Sequence, residues 1–485
     1  MVRDRRRGRH PGRGPAPVTT THSGGGLGPP GRLLVGTTSS AVPWEGSAGL
    51  PDGWPAAGSG SDTTTPGAAA LTVWDVFGAL PGRIADGTAP TTGAGGVERL
   101  DADLDLLAEL GVRAHRVTLS WARLAPQGQV DPGGAGSDFY RRLLDGLRDR
   151  GIAPWVALHH WDLPLSLMEQ GGWLARETAH RFADYAAAAA AAFGDRVAAW
   201  TTVDEPATVT ALGYGVGIDA PGLTLLGGAF SAAHHQLLAH GHAVTALRAA
   251  GAVPVGIVNA HTVVRPHNPG STADQAVARF VDLYLNRQFA DPVLRGRYPR
   301  ALHRSLPEMG DETLVHDGDL AVIGQPLDFY GVSWDHPLTV AAVPENRSVP
   351  FSLETPDGLP LTTTGRPVDP QGLQQTLSDL SRRYPDAPPL IVAASGGAFA
   401  ARTDGADEDR IAFLDAHLAA TEAAREAGSD VRAYFHRSLL DGWEWTDGWS
   451  ARYGLVAVDR ETGHRVRRPA FTHLQQRLAE RPLQD

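Results

Sequence analysis

"VERLDADLDLLAELGVRAHRVTLSW" (residues 97–121) sets the architecture of the chain. Leu100, Leu104, Leu107 and Leu110 recur at helical spacing on one stripe, and Gly111 supplies the stop. "RAHRVTLSW" then switches to the dense pattern of a buried strand. The same alternation runs in both directions from here. Upstream, "RLLVGTT" (32–38) is strand-like; downstream, "SDFYRRLLDGLRDRG" (137–151) is a helix with Ser137 as its expected N-cap. "APWVALHHW", "VAAWTTVDEP", "VPVGIVNAH", "LDFYGVSW", "PLIVAAS" and "VRAYFHRSL" follow as strands. Between and after them lie helical stretches near 177–194, 228–250, 272–289, 370–383, 407–427 and 468–480. Eight strand-like runs, each followed by a helix, predict a single α/β domain folded as a (β/α)8 TIM barrel. An open doubly wound sheet would carry a phosphate-binding glycine loop after its first strand, and "VGTTSSAVPWEG" (35–46) is not one.

The barrel is expected over 33–485. Residues 1–32, dominated by Arg, Gly, Pro and Thr, read as a disordered tail. The Pro/Gly/Thr-rich segments 47–70 and 340–368 are long for connections and are expected as long βα loops over the site. A net charge of −11 argues against a nucleic-acid partner. All 43 basic residues are arginine, and there is no cysteine, which excludes disulfides and thiolate chemistry. No run is apolar enough to span a membrane, and no apolar segment follows the N-terminal arginines as an export signal requires. The expectation is a cytoplasmic protein acting on a small molecule, with no cofactor and no metal.

On a barrel, residues ending the strands face one bowl. Arg116, His160, Trp161, Asp204, Glu205, Trp334, Asp335, His336, Arg437, Glu444 and Trp445 fall there. Carboxylates, imidazoles and indoles together suit a polyhydroxylated ligand: rings stack on C–H faces while acids and imidazoles bond hydroxyls. Each aromatic or histidine taken singly also suits plain packing. His234, His235, His240 and His242 illustrate this, since they crowd an Ala/Leu helix with no carboxylate among them.

"HRVTLSW" (115–121), "HHWDLP" (159–164), "GGWLARET", "WTTVDEP" (200–206), "AAHHQLLAHG", "LRGRYP", "DFYGVSW" and "DGWEWTDGWSARYGLVAVD" (441–459) occur in order. Together they resemble glycoside hydrolase family 1, the β-glucosidase family, from about Leu33 to Leu478. The resemblance implies a (β/α)8 barrel and a retaining glycosidase, which needs two carboxylates about 5–5.5 Å apart. It makes Glu205 the general acid/base and aligns the family's nucleophile with Ala394, in "AASG" (393–396). No Asp or Glu occurs from Ala387 through Thr403.

Other positions depart together from the family pattern. Pro43 stands for a sugar-gripping glutamine, Asp204 for an asparagine, Asp335 for a tyrosine, Arg437 for a tryptophan and Gly442 for an asparagine. His160, Trp161, Glu444, Trp445 and Arg116 persist. Arg116 neighbours the nucleophile in the family, so Asp204 or Asp335 is expected to supply its counter-charge. Three functions follow: acid/base chemistry by Glu205 (cyclisation, elimination or rearrangement) with Asp204 and Asp335 as partners, on a small polyhydroxylated or natural-product-like substrate; β-glycoside hydrolysis or transfer by a non-standard mechanism; or glycoside binding without catalysis. The altered contacts also point to an anionic or unusually decorated ligand.

Overall fold

The computed structural model describes residues 27, 32–50, 69–91, 93–252, 254–346, 349–400 and 407–480. The expected tail, Leu27 and Arg32 excepted, and most of the 47–70 insertion lie outside these residues. Eight strands close a parallel barrel: β1 (Leu34–Ser39), β2 (Ala114–Thr118), β3 (Ala153–His159), β4 (Ala199–Asp204), β5 (Val255–Ala260), β6 (Phe329–Trp334), β7 (Leu390–Ser395) and β8 (Val431–Arg437). The order around the barrel is β1-β2-β3-β4-β5-β6-β7-β8, with β8 pairing back onto β1. Each strand therefore sits beside its neighbour in sequence, as right-handed βαβ crossovers require.

Helices α1 (Leu100–Leu110), α2 (Ala135–Asp149), α3 (Glu177–Phe193), α4 (Phe230–Ala249), α5 (Thr272–Val281), α6 (Pro370–Arg383), α7 (Glu408–Glu426) and α8 (Pro469–Ala479) are the main helices around it. In α1 all four predicted leucines are buried, and Gly111 adopts φ 81° to end the helix. Helix α2 begins two residues earlier than the sequence suggested. Gly134 is its N-cap, and Ser137 lies inside the first turn, donating to the Asp131 carbonyl at 2.6 Å instead. The 340–368 segment also differs from a plain loop. Leu338–Ala342 and Phe351–Glu354 pair antiparallel, and Val264–Pro266 joins them in a three-stranded sheet. Val340 and Phe351 pack with Ala278 and Val281 of α5, so an apolar surface on the outer helix holds the hairpin.

The lower barrel interior is a plug. Trp155, Phe329 and Phe435 meet there with ring centroids 5.0–5.4 Å apart, among Ala114, Ala199, Ile391 and Ala433. Gly36 of β1 faces this layer, and a Cβ there would lie 2.9 Å from the Phe435 ring and 2.5 Å from the Ala114 carbonyl oxygen. Side chains alternate along a strand, so residues two positions on form the next inward layer. Above Gly36, Ala114 and Phe435 stand Thr38, Arg116 and Arg437. The plug thus forms the floor on which the charged layer rests.

Gly36→Val is expected to destabilise the chain by about 1–3 kcal/mol through overpacking of this floor, read as a lower urea midpoint.

Candidate active site

Strand β4 delivers Asp204 and Glu205 into the bowl. Glu205 adopts φ 53°, a left-handed conformation unusual for a side chain of its size, before the helical turn that starts at Pro206. Ser333 donates to one of its oxygens at 2.5 Å and Thr208 to the other at 2.9 Å. Trp161 and Trp445 also hold positive φ, 73° and 55°. Of the four non-glycine residues in this region of backbone space among the described residues, these three line one cavity. Strain of this kind persists where surrounding packing over-determines it, and it gathers at functional sites.

The cavity's aromatic wall joins His160, Trp161 and Trp445, with centroids 4.6–5.4 Å apart, and Trp74 backs Trp445 at 4.8 Å. Burial pushes the His160 imidazole down to about 3, against the raising influence of Glu205, so it stands neutral. Its walls otherwise come from Arg116, Asp204, Ala394, Arg437 and Glu444, with Pro43 and Trp44 at the side. The enclosed space is about 40 Å3.

Ion pairs occupy that space. The Arg116 guanidinium pairs with Asp204, both deeply buried. Burial raises the Asp204 carboxyl and Arg116 opposes the rise. Of the two aspartates expected to serve Arg116, this is the one that does. Arg437 pairs with Glu444 at 2.5 Å and lies over the Tyr453 ring at 4.1 Å. A third carboxylate on the cavity, Asp441, is bound by Arg468 through contacts of 2.6 and 3.0 Å. Of the four carboxylates lining the cavity, only Glu205 has no arginine partner among the described residues.

The remaining candidates sit elsewhere. Trp334 is fully buried on the outer side of the barrel, its ring against Gly372 of α6, and does not line the cavity. Asp335 lies 2.7 Å from Arg366 and 3.2 Å from His336. Burial alone would raise its carboxyl, but Arg366 and His336 reverse this and hold it well below the usual range. Neither Asp335 nor His336 lines the cavity. Arg366 also donates to the Tyr453 hydroxyl at 3.0 Å, which links this outer network to Arg437. Sequence reasoning passed over Arg366 because it lies in the 340–368 insertion rather than at a strand end. It passed over Thr38 too, although Thr38 closes the first strand-like run and that position is a signal.

The α4 histidines serve packing. His234 bonds Tyr298 and Asp319, His235 the Trp173 carbonyl, and His240 Thr202, at 2.6–3.0 Å. Among the described residues, one grouping brings three potential metal donors within 4.8 Å of each other: His160, Asp204 and Glu205. The guanidiniums of Arg116 and Arg437 on the same cavity oppose a cation there. No helix among the described residues is long and apolar enough to cross a membrane.

Residues 63–481 match the family described as Glycosyl hydrolase family 1. The chain is 41% identical over 403 residues to a thermostable beta-glucosidase B of Thermobispora bispora, covering 82% of this chain and 83% of that protein. It is 38% identical over 433 residues to a bifunctional beta-D-glucosidase/beta-D-fucosidase of Bifidobacterium breve, covering 84% and 92%. Among solved structures, the psychrophilic beta-glucosidase of Micrococcus antarcticus superposes with a TM-score of 0.84 at 35% identity, covering 92% of this chain and 97% of that one. A family 1 beta-glucosidase of Thermotoga maritima gives 0.84 at 30% identity, covering 95% and 100%.

Removing one partner of the buried pair leaves an uncompensated charge. Asp204→Ala is therefore expected to cost about 3–5 kcal/mol in urea unfolding, and Arg116→Met combined with Asp204→Leu to recover most of it. A second prediction concerns Asp162, fully buried 4.0 Å from His159, whose carboxyl burial pushes up to about 8. Its contribution to stability is complete below the ordinary value of 3.8 and is lost as pH rises towards 8. Asp162→Asn is expected to match the parent in Tm near pH 4 and to exceed it increasingly up to about pH 8.

Proposed function

Because the chain belongs to glycosyl hydrolase family 1, and because its bowl keeps one carboxylate free of arginine, we propose that it performs acid/base chemistry through Glu205 on a small polyhydroxylated molecule, without a covalent glycosyl intermediate. The observation that carries this reading is the pairing pattern: Asp204, Asp441 and Glu444 are each held by an arginine, while Glu205 is held by two hydroxyls. Hydroxyl donors orient a carboxylate and leave it able to take and return a proton.

Two further features support it. A retaining glycosidase needs a second carboxylate as nucleophile. The position aligned with that group is Ala394, and the nearby aspartate, Asp204, is bound to Arg116. The enclosed cavity of about 40 Å3 is also far below the ~300 Å3 at which small-molecule pockets usually begin. The space beneath the arginines is small, so the reacting group is presented to Glu205 from the open side of the bowl. Elimination, cyclisation or rearrangement then needs only proton transfer: Glu205 removes a proton from one atom and returns it to another. His160, neutral and facing the same cavity, is suited to hold a substrate hydroxyl.

A second reading, β-glycoside hydrolysis or transfer with Asp204 as substitute carboxylate, is favoured by the donor atoms of Asp204 and Glu205 lying within 4.8 Å of each other. It is also favoured by the names of the relatives.

The discriminating experiment incubates the chain with a panel of aryl β-glycosides and follows the products by NMR, with Glu205→Gln as control. The expected result is no Glu205-dependent release. Glu205-dependent release with a defined product anomer would move the assignment to the second reading. On any substrate the chain does convert, Glu205→Gln is expected to lower kcat by about 10²–10⁴-fold with the fold intact. Retained binding without conversion in both proteins would instead mark a glycoside-binding protein.

A further inference from the structure

Strand β1 pairs on one side with β2 and on the other with β8, and Thr38 is in register with both Arg116 and Arg437. Three neighbouring strands therefore present Arg–Thr–Arg as one row in the layer above the aromatic floor. With strands about 4.8 Å apart, the two arginine Cα atoms lie about 10 Å from each other, with the threonine hydroxyl between them. All three residues line the 40 Å3 cavity together with Ala394, which brings no charge from β7.

Asp204 and Glu444 do not exhaust this row. Arg437 uses one terminal nitrogen for Glu444, and its Nε and other terminal nitrogen make no hydrogen bond to the described residues. Arg116 uses one terminal nitrogen for Asp204, and the other reaches the Thr38 hydroxyl oxygen at 3.5 Å. Its Nε is buried without a partner, although Arg116 is only 3% exposed. The Thr38 hydroxyl accepts from Arg116 and keeps its own proton to donate. Buried donors without acceptors are costly, and guanidiniums match planar oxyanions.

We propose that the Arg116–Thr38–Arg437 row binds a carboxylate of the substrate, so that the molecule acted on is a small polyhydroxylated carboxylic acid. This rests on the reading of Glu205 as the reacting group and names the class of molecule it serves. The charged end enters beneath Trp161 and Trp445, and the hydroxyl-bearing remainder extends past Glu205 into the open bowl. The row also explains why Arg437 is fixed on both faces, by Glu444 and by the Tyr453 ring. A guanidinium so held loses little further freedom when it meets an anion.

The test is isothermal titration calorimetry on the full chain with D-gluconate and glycerate, against glucose, glycerol and inorganic phosphate as probes. Acids are expected to bind at least roughly tenfold more tightly than their neutral counterparts, and phosphate more weakly than either acid. Arg437→Gln, which keeps a polar group towards Glu444, should weaken acid binding roughly 10- to 100-fold. Ala394→Glu should abolish it by placing the chain's own carboxylate in the cavity. Equal binding of acids and neutral polyols, preference for phosphate, or acid binding unchanged in both variants would overturn the proposal. Glu205→Gln separates it from the function above. Acid binding that persists in Glu205→Gln, with no conversion by the parent, upholds the row and removes the acid/base reading. Glu205-dependent conversion of neutral compounds with no preference for acids does the reverse.

Discussion

The buried pair between Arg116 and Asp204 is the constraint on which the bowl depends. Both groups lie inside a parallel barrel, directly above a floor of aromatic rings, where an unpaired charge is expensive. Asp204 is committed to Arg116, whereas Glu205 beside it has no such partner among the described residues. The same logic repeats at Arg437 and Glu444, and again at Arg468 and Asp441. Each pair ties one acid of the cavity to a guanidinium. What remains is a single carboxylate on a strained turn, steered by the hydroxyls of Ser333 and Thr208.

This arrangement also accounts for the shape of the space. Guanidiniums line the space from two sides, and the cavity is about 40 Å3. A glycosidase bowl of the same fold would be expected to leave room for a sugar ring. Here the aromatic wall of His160, Trp161 and Trp445 borders a centre occupied by buried ion pairs.

Much of the fold was legible in the sequence because buried parallel strands read as dense apolar runs, and all eight are where those runs lie. Local start signals were weaker. Ser137 looks like a cap, but the chain enters α2 at Gly134 and uses the serine to tie down a turn. The 340–368 segment looks like a loop because Pro and Gly punctuate it, yet α5 offers an apolar face on which Val340 and Phe351 settle as paired strands. At the site, position along a strand told which residues approach the bowl, but not how far each side chain is drawn into the core. Trp334 ends β6 and faces outward against α6, while Ser333 before it faces the bowl. Asp335, one residue on, turns to Arg366, a partner from a distant insertion that no local pattern announces. The in-register row of Thr38, Arg116 and Arg437 was equally hidden, since it depends on pairing between strands far apart in sequence.

Site-resolved carbodiimide footprinting of the folded full chain, read by mass spectrometry, tests the central claim most directly. The reagent activates accessible carboxyl groups that are not engaged by guanidiniums. The account predicts that, among the acids of the cavity, Glu205 is modified well ahead of Asp204, Asp441 and Glu444. Modification of Asp204 or Glu444 at the same rate as Glu205 would contradict it, because those groups would then not be held as the structure describes.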